Sequence, residues 1–279
     1  MSLRSGSQRC APGCSTWPAR LHPFPEYPCR CGNNGTVNRH LDPGTRPKLY
    51  PRQVLGTGVC DVGYALTTGA GRARPVVPDA RCGIAWVQGR LWWFGPATGP
   101  WVPSRPGVAV VGVRIGLAHG RSVAGAPLER WRNQWCPLAE AWGPAATAEA
   151  ERQINGMDDE GAAVELLAHT VTARAAQRPA AARMLRLVEH LEADRTVQQI
   201  AEELGVSVRQ IHRQCVADFG LAPVLVRRIL RLHRAAALWR PASDTSFADL
   251  AAKANYSDQP HLVRDFHALA GQTPSTALS

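Results

Sequence analysis

Apolar positions between Thr196 and Phe266 follow one short-helix rhythm twice. In the first pass Ile200, Ala201 and Leu204 fall on one helical face, and Gly205 interrupts it. Val208, Ile211 and Cys215 then start a second face. Thr196 and Ser207 stand where helix caps belong, each followed three residues later by a glutamine, Gln199 and Gln210. In the second pass, at an offset of 50, Ser246, Leu250, Ala251 and Asn255 match Thr196, Ile200, Ala201 and Gly205. After the turn the offset is 51: Asp258, Leu262, Arg264, Phe266, Gly271 and Pro274 match Ser207, Ile211, Arg213, Cys215, Gly220 and Pro223. Asparagine is the next-best residue to glycine at a left-handed turn position. Pro260 falls in the first turn of its helix, where a missing N–H costs little. The pattern predicts two helix-turn-helix units in tandem, the second with a turn one residue longer. A helix from Pro223 to about Trp239, ended by Pro241, joins them.

Upstream the periods change. Apolar positions at helical spacing predict a helix over 180–193, with Met184, Leu187, Val188 and Leu191 on one face. Another is predicted over 161–177, and helical structure over 117–142, with 144–160 as a link between helices. Earlier, the short runs 81–88, 90–95 and 107–116 lie between Gly- and Pro-bearing turns and read as strands. In the last run Ala109, Val111, Val113 and Ile115 share one face. Val87-Gln88-Gly89-Arg90 reads as a hairpin turn. Strands at this spacing predict a small barrel or sandwich. Residues 1–50 show neither period, are rich in Pro, Gly, Ser and Arg, and read as disordered or extended. The predicted fold is therefore α+β and multidomain. A leader (1–49) precedes a β-rich domain with trailing helices (50–177), and an all-α tandem helix-turn-helix domain (178–279) follows.

Charge refines this picture. The chain of 279 residues carries a formal +10. Residues 1–60 hold 8 basic and 2 acidic groups, while residues 61–179 and 180–279 each hold 12 and 10. The helix-turn-helix half is barely basic as a whole. Within it, residues 205–240 carry seven arginines against Asp218 alone. That stripe reads as an electrostatic footprint for a polyanion, beside the plainer reading of a solvated helix face. No run of 18 apolar residues occurs, so no membrane partner is expected. The eight scattered cysteines fit a reduced, cytoplasmic setting.

Catalytic patterns are lacking: there is no P-loop, GxSxG, HExxH or nucleotide-binding glycine fingerprint, and no cofactor is called for. Trp86, Trp92, Trp93 and Trp101 either line a pocket or, as tryptophans more often do, fill a core. Glu129 and Glu140 read as surface charges. Cys10, Cys14, Cys29 and Cys31, with His22 between them, are candidate soft ligands for zinc.

The motifs IAEELGVS, GLAP (Gly220 to Pro223), RLHRAAAL (Arg231 to Leu238), NYSDQPHLVRDF and GQTPS (Gly271 to Ser275) resemble the DNA-binding domain of AraC/XylS transcription regulators. Asn255 in place of a glycine, and Cys215 and Val226 in place of aromatics, depart from the usual pattern. The resemblance implies a double-stranded DNA operator and no enzymatic activity. It implies that the second helix of each unit enters the major groove. In the first unit it points to Arg209, His212 and Arg213, with Gln210 beside them. In the second it points to Gln259, Pro260, His261 and Arg264. Ser207 and Asp258 would cap the two helices. Arg213 and Arg264 would touch either bases or phosphates. Two recognition helices on one chain would reach successive major grooves about 34 Å apart. The order VPD, FGP, VGVRI, PLAEAWG over roughly 50–175 resembles the cupin-like sensor domain of many actinobacterial regulators. It implies a small-molecule effector, a possible homodimer and contact with RNA polymerase. The alternative is that CAPGC, at Cys10 to Cys14, resembles the zinc-bound methyl-accepting segment of Ada-type regulators, although the second pair here is CxC. A third reading leaves the N-terminal domain with dimerisation alone.

Overall fold

A computed structural model describes residues 58–67, 76–101, 108–240 and 245–278. Its N-terminal half is built on five antiparallel strands: β1 (Cys60–Thr67), β2 (Cys82–Val87), β3 (Arg90–Phe94), β4 (Ala109–Ile115) and β5 (Trp135–Pro137), in the order β1-β4-β2-β3-β5. Val87 pairs with Arg90 across a two-residue turn in which Gln88 (φ 51°) and Gly89 (φ 82°) are both left-handed. Two positive φ values in sequence match the twist of a tight hairpin. Side chains alternate across the sheet. Ile84, Leu91, Trp93, Val111, Val113 and Ile115 are buried on one side together with Trp131, Leu138, Val164, Leu167 and Val171. Ala85, Val87 and Phe94 gather on the other, with Trp92, Val110 and Trp135 packed against them.

Helices α1 (Gly120–Ala124), α2 (Ala139–Trp142), α3 (Pro144–Asn155) and α4 (Glu160–Ala176) follow, with a 3-10 turn at Leu128–Trp131 between α1 and β5. Two expectations need correction. Residues 144–160, expected as a link, hold the twelve-residue helix α3, whose Thr147, Ala150 and Ile154 are buried at helical spacing. Its alanines favour helix, and Pro144 sits at its permitted first position. The stretch 117–142, where the pattern reads as turning helical, contains strand β5, which pairs with β3 along Trp92–Phe94. Tertiary pairing outweighs local propensity in so short a segment.

The C-terminal half is helical: α5 (Ala182–Glu192), α6 (Val197–Glu203), α7 (Val208–Phe219), α8 (Pro223–Leu238), α9 (Phe247–Lys253), α10 (Gln259–Ala270) and α11 (Pro274–Ala277). Here the predicted plan is what the structure shows, with the second turn longer than the first. α8 buries Val226, Ile229, Leu232 and Ala235, a stripe at every third residue. That stripe belongs to one continuous core with Leu187 and Leu191 of α5, Ile211, Cys215 and Phe219 of α7, Leu250 of α9, and Leu262, Phe266 and Leu269 of α10. Both helix-turn-helix units thus close on the same helix. Ala80 and Leu117, from the N-terminal half, are buried in this core too.

Candidate nucleic-acid interface

Each unit presents the start of its second helix through a cap. Ser207 Oγ accepts from the Gln210 amide at 3.2 Å, while Gln210 Oε1 accepts from the Ser207 amide at 2.8 Å. At α10, Asp258 Oδ1 accepts from the His261 amide at 2.7 Å. That bond holds the Asp258 carboxyl below its ordinary pKa, with smaller help from Ser257 and the nearby Arg264 and His261 charges. Thr196–Gln199 and Ser246–Asp249 form the same reciprocal box at α6 and α9. The left-handed turn positions fall where the repeat puts them: Gly205 at φ 65° and Asn255 at φ 64°.

Capping and burial together fix which side of each helix is free. On α7, Ile211, Cys215 and Phe219 face the core, and on α10 Leu262, Phe266, Leu269 and Ala270 do. Arg209, His212 and Arg213 are left exposed on the first helix, and Gln259, Pro260 and Arg264 on the second. His261 is half-buried. Its Nδ1 is 3.1 Å from Ser257 Oγ, and its ring meets Tyr256 edge-on at 5.1 Å. Gln210 is also exposed, but the cap occupies its Oε1, which leaves its Nε2 as the group facing outward. Cys215, where an aromatic is usual, is wholly buried, and burial pushes its thiol up to about 12. It acts as a small apolar filler.

Only part of the arginine stripe is open to a polyanion. Arg227, Arg231 and Arg234 converge on one aspartate, Asp194, at 3.0, 3.0 and 3.7 Å. Arg228 binds Asp265 of α10 at 2.8 Å. Four of the seven arginines therefore brace α8 against its neighbours. Asp194 follows α5 in a left-handed conformation (φ 59°) and its side chain is 6% exposed. Sequence reasoning missed it because its partners lie more than thirty residues away. The available signal was the spacing of Arg227, Arg231 and Arg234, at i, i+4 and i+7 on one helical face.

The N-terminal tryptophans divide. Trp93 is fully buried, Trp86 donates from Nε1 to Asn155 Oδ1 at 2.7 Å, and Trp101 lines a cleft with Phe94, Trp135, Asp79, Arg81 and Arg114. In that cleft the Arg114 guanidinium lies 4.5 Å from the Phe94 ring centre and 3.4 Å from Asp79. Glu129 and Glu140 are exposed. The candidate zinc ligands Cys10, Cys14, Cys29 and Cys31, like the leader and Pro241, lie outside the described residues. Among the described residues, no helix is long and apolar enough to cross a membrane.

With this geometry in hand, residues 200–279 match the family model of a helix-turn-helix domain. They are an AraC-type DNA-binding domain. This match supports a role in DNA binding and transcription regulation. No curated protein matches the chain. Among solved structures, ToxT from Vibrio cholerae O395 is 10% identical, with a TM-score of 0.41, over 77% of this chain and 95% of that one. A second crystal form of ToxT from Vibrio cholerae is 9% identical with a TM-score of 0.39, over 77% and 96%. The comparisons give the methyl-accepting alternative no support.

Proposed function

We propose that one chain reads a long, non-palindromic operator by laying α7 and α10 into successive major grooves on one face of the duplex. The observation that carries this reading is the duplicated exposed surface: Arg209, His212 and Arg213 on one capped helix, and Gln259, Pro260 and Arg264 on the other. Arg209 is suited to a bidentate contact with guanine O6 and N7, Gln259 to adenine, and Pro260 to an apolar contact. His261 positions as much as it reads, since its ring is already engaged by Ser257 and Tyr256. The helix N-termini capped by Ser207 and Asp258 approach phosphates. Residues 178–279 form the DNA-binding domain in this reading, and residues 50–177 bind a small-molecule effector, in the cytoplasm. Pairing of two chains and contact with RNA polymerase at a promoter belong to the same reading. The aromatic cleft around Arg114 supports the effector role, because it sets a buried cation beside three aromatic rings.

The test is selection of bound DNA from a random pool by the full chain near 0.15 M salt, where non-specific binding is held down. Two base clusters about one helical turn apart are expected. A single cluster, or salt-sensitive binding with no motif, would overturn the two-groove reading. Ligand-dependent thermal shifts of the full chain test the effector role separately.

A further inference from the structure

The segment Gly95–Trp101 between β3 and the next described strand touches both helix-turn-helix units, and it touches them at equivalent places. α7 ends on Gly220 and α10 on Gly271, each in the left-handed conformation (φ 68° and 66°). These are the matched glycines of the sequence repeat. Pro96 lies so close over Gly220 that a Cβ there would stand 2.6 Å from its Cγ. Pro100 lies over Gly271, where a Cβ would stand 3.3 Å from its Cγ. The two prolines are four positions apart, so one short segment reaches the trailing ends of both recognition helices.

The segment is firmly held. The Val76 and Trp101 amides and carbonyls pair at 2.7 and 3.2 Å, and the Gly95 amide donates to the Gln134 carbonyl at 2.9 Å. Asn133, itself left-handed at φ 58°, holds the middle of the loop. Its Oδ1 accepts from the Thr98 amide at 2.7 Å, and its amide donates to the Pro96 carbonyl at 2.9 Å. Next to it, Arg132 Nε donates to the Gly220 carbonyl at 2.6 Å. Further contacts fasten the first unit to the N-terminal half: Arg121 to Asp218 at 3.0 Å, and His233 Nε2 to the Pro78 carbonyl at 2.8 Å. The contacts at Asp218, Gly220 and Gly271 lie at the far ends of α7 and α10, away from the exposed starts that would meet DNA.

We propose that Gly95–Trp101 is a bracket that sets the separation of the two recognition helices by holding both helix ends at once. The proposal rests on the two-groove reading. Among the described residues, α8 joins the units through one core; the bracket adds a second tie between them. A double reader with two ties accepts one distance between its base clusters, and one with a single tie accepts several. Gly95, Ala97 and Trp101 also line the aromatic cleft, so anything that displaces the loop there moves the bracket.

The test uses the full chain and duplexes carrying the two selected clusters at the best spacing and at one base pair more or less. Asn133→Gly keeps the left-handed backbone and removes the side chain that holds Thr98. Pro100→Ala removes the contact with Gly271 from a half-buried loop position that tolerates it. In each variant, the preference of the natural chain for the best spacing over its neighbours should fall at least threefold, with binding to a single cluster unchanged. Unchanged spacing preference in both variants would overturn the bracket while leaving the two-groove reading intact. A natural chain that selects only one cluster would overturn both. Amide exchange of the free protein gives an independent readout. Release of the bracket should speed exchange after Gly220 and after Gly271 together, and speeding at one site alone would also overturn it.

Discussion

Arg231 forks onto Asp194, with Nε 3.1 Å from Oδ2 and Nη2 3.0 Å from Oδ1. Arg227 adds a bond to the Asp194 carbonyl, so one residue at the end of α5 anchors two successive turns of α8. The pairing is largely shielded from water, with Arg231 11% and Asp194 6% exposed. Removing one partner from such a site costs far more than removing a surface pair, because the remaining charges stay buried without compensation. Asp194→Ala should therefore destabilise the chain by about 3 kcal/mol. Arg231→Lys should recover little, since an ammonium cannot fork. Urea denaturation followed by circular dichroism measures both. A loss for Asp194→Ala no larger than that of an ordinary surface substitution would contradict the assignment.

The same arrangement separates arginines that fold the domain from those that can touch DNA. Arg209, Arg213 and Arg264 are exposed on α7 and α10. Replacing any one with alanine should leave stability within about 0.5 kcal/mol. A base-contacting arginine should lose about 1–3 kcal/mol of discrimination between specific and random DNA. A phosphate-contacting one should instead weaken both equally and lower the salt slope by about 1. Arg209→Ala is expected to show the first pattern. Arg227→Ala should change stability and leave the salt slope alone. Equal losses for Arg209→Ala on specific and random DNA would reassign it to the backbone.

These contrasts mark where the sequence could be read and where it could not. Thr196–Gln199 and Ser207–Gln210 are short-range boxes, visible as spacing and present in the structure. The left-handed positions Gly205 and Asn255 are local as well. A duplicated pattern reinforces each local signal, so the helical half was legible almost element by element. The arginines were not, because a charge run shows its sign and its face but not whether a distant acid already occupies it. β5 escaped notice because three residues hold no period, and their strand exists only through pairing with β3. Gly220 and Gly271 were recognised as repeat positions. Nothing near them in the chain announces that prolines more than a hundred residues earlier lie over both.

Acid should weaken the helix caps in a defined direction. Hydrogen bonds from Ser246 lower the Asp249 pKa, and the bond from the His261 amide lowers that of Asp258. A carboxyl with a depressed folded pKa binds its proton more readily in the unfolded chain. Its stabilisation is complete above the unfolded value near 3.9 and is lost as pH falls through the lower folded value. At either position Asn offers the same acceptor oxygen as Asp but does not titrate. The Asp249→Asn, Asp258→Asn chain should therefore have a flatter melting-temperature profile between pH 5 and pH 2, approaching and then matching or exceeding the natural chain in acid. A melting-temperature difference independent of pH would show that the caps do not titrate as argued. No reading of the DNA contacts depends on the result.

Gly205 and Gly220 share a left-handed backbone but not their surroundings, and alanine should reveal the difference. A Cβ at Gly205 (φ 65°) meets nothing within 4 Å. Gly205→Ala should thus cost only the backbone strain, about 1–2 kcal/mol. A Cβ at Gly220 would stand 2.6 Å from Pro96 Cγ and 3.0 Å from the Leu128 carbonyl oxygen. Gly220→Ala should add an overpacking loss of about 1–3 kcal/mol to the same strain. Because part of that clash is with the proline ring, Pro96→Ala in the Gly220→Ala background should restore some of the loss. Alone, Pro96→Ala should only destabilise. A double-mutant cycle on the two positions, read by denaturant unfolding, measures the coupling directly. A coupling near zero would mean that Pro96 does not press on the end of α7.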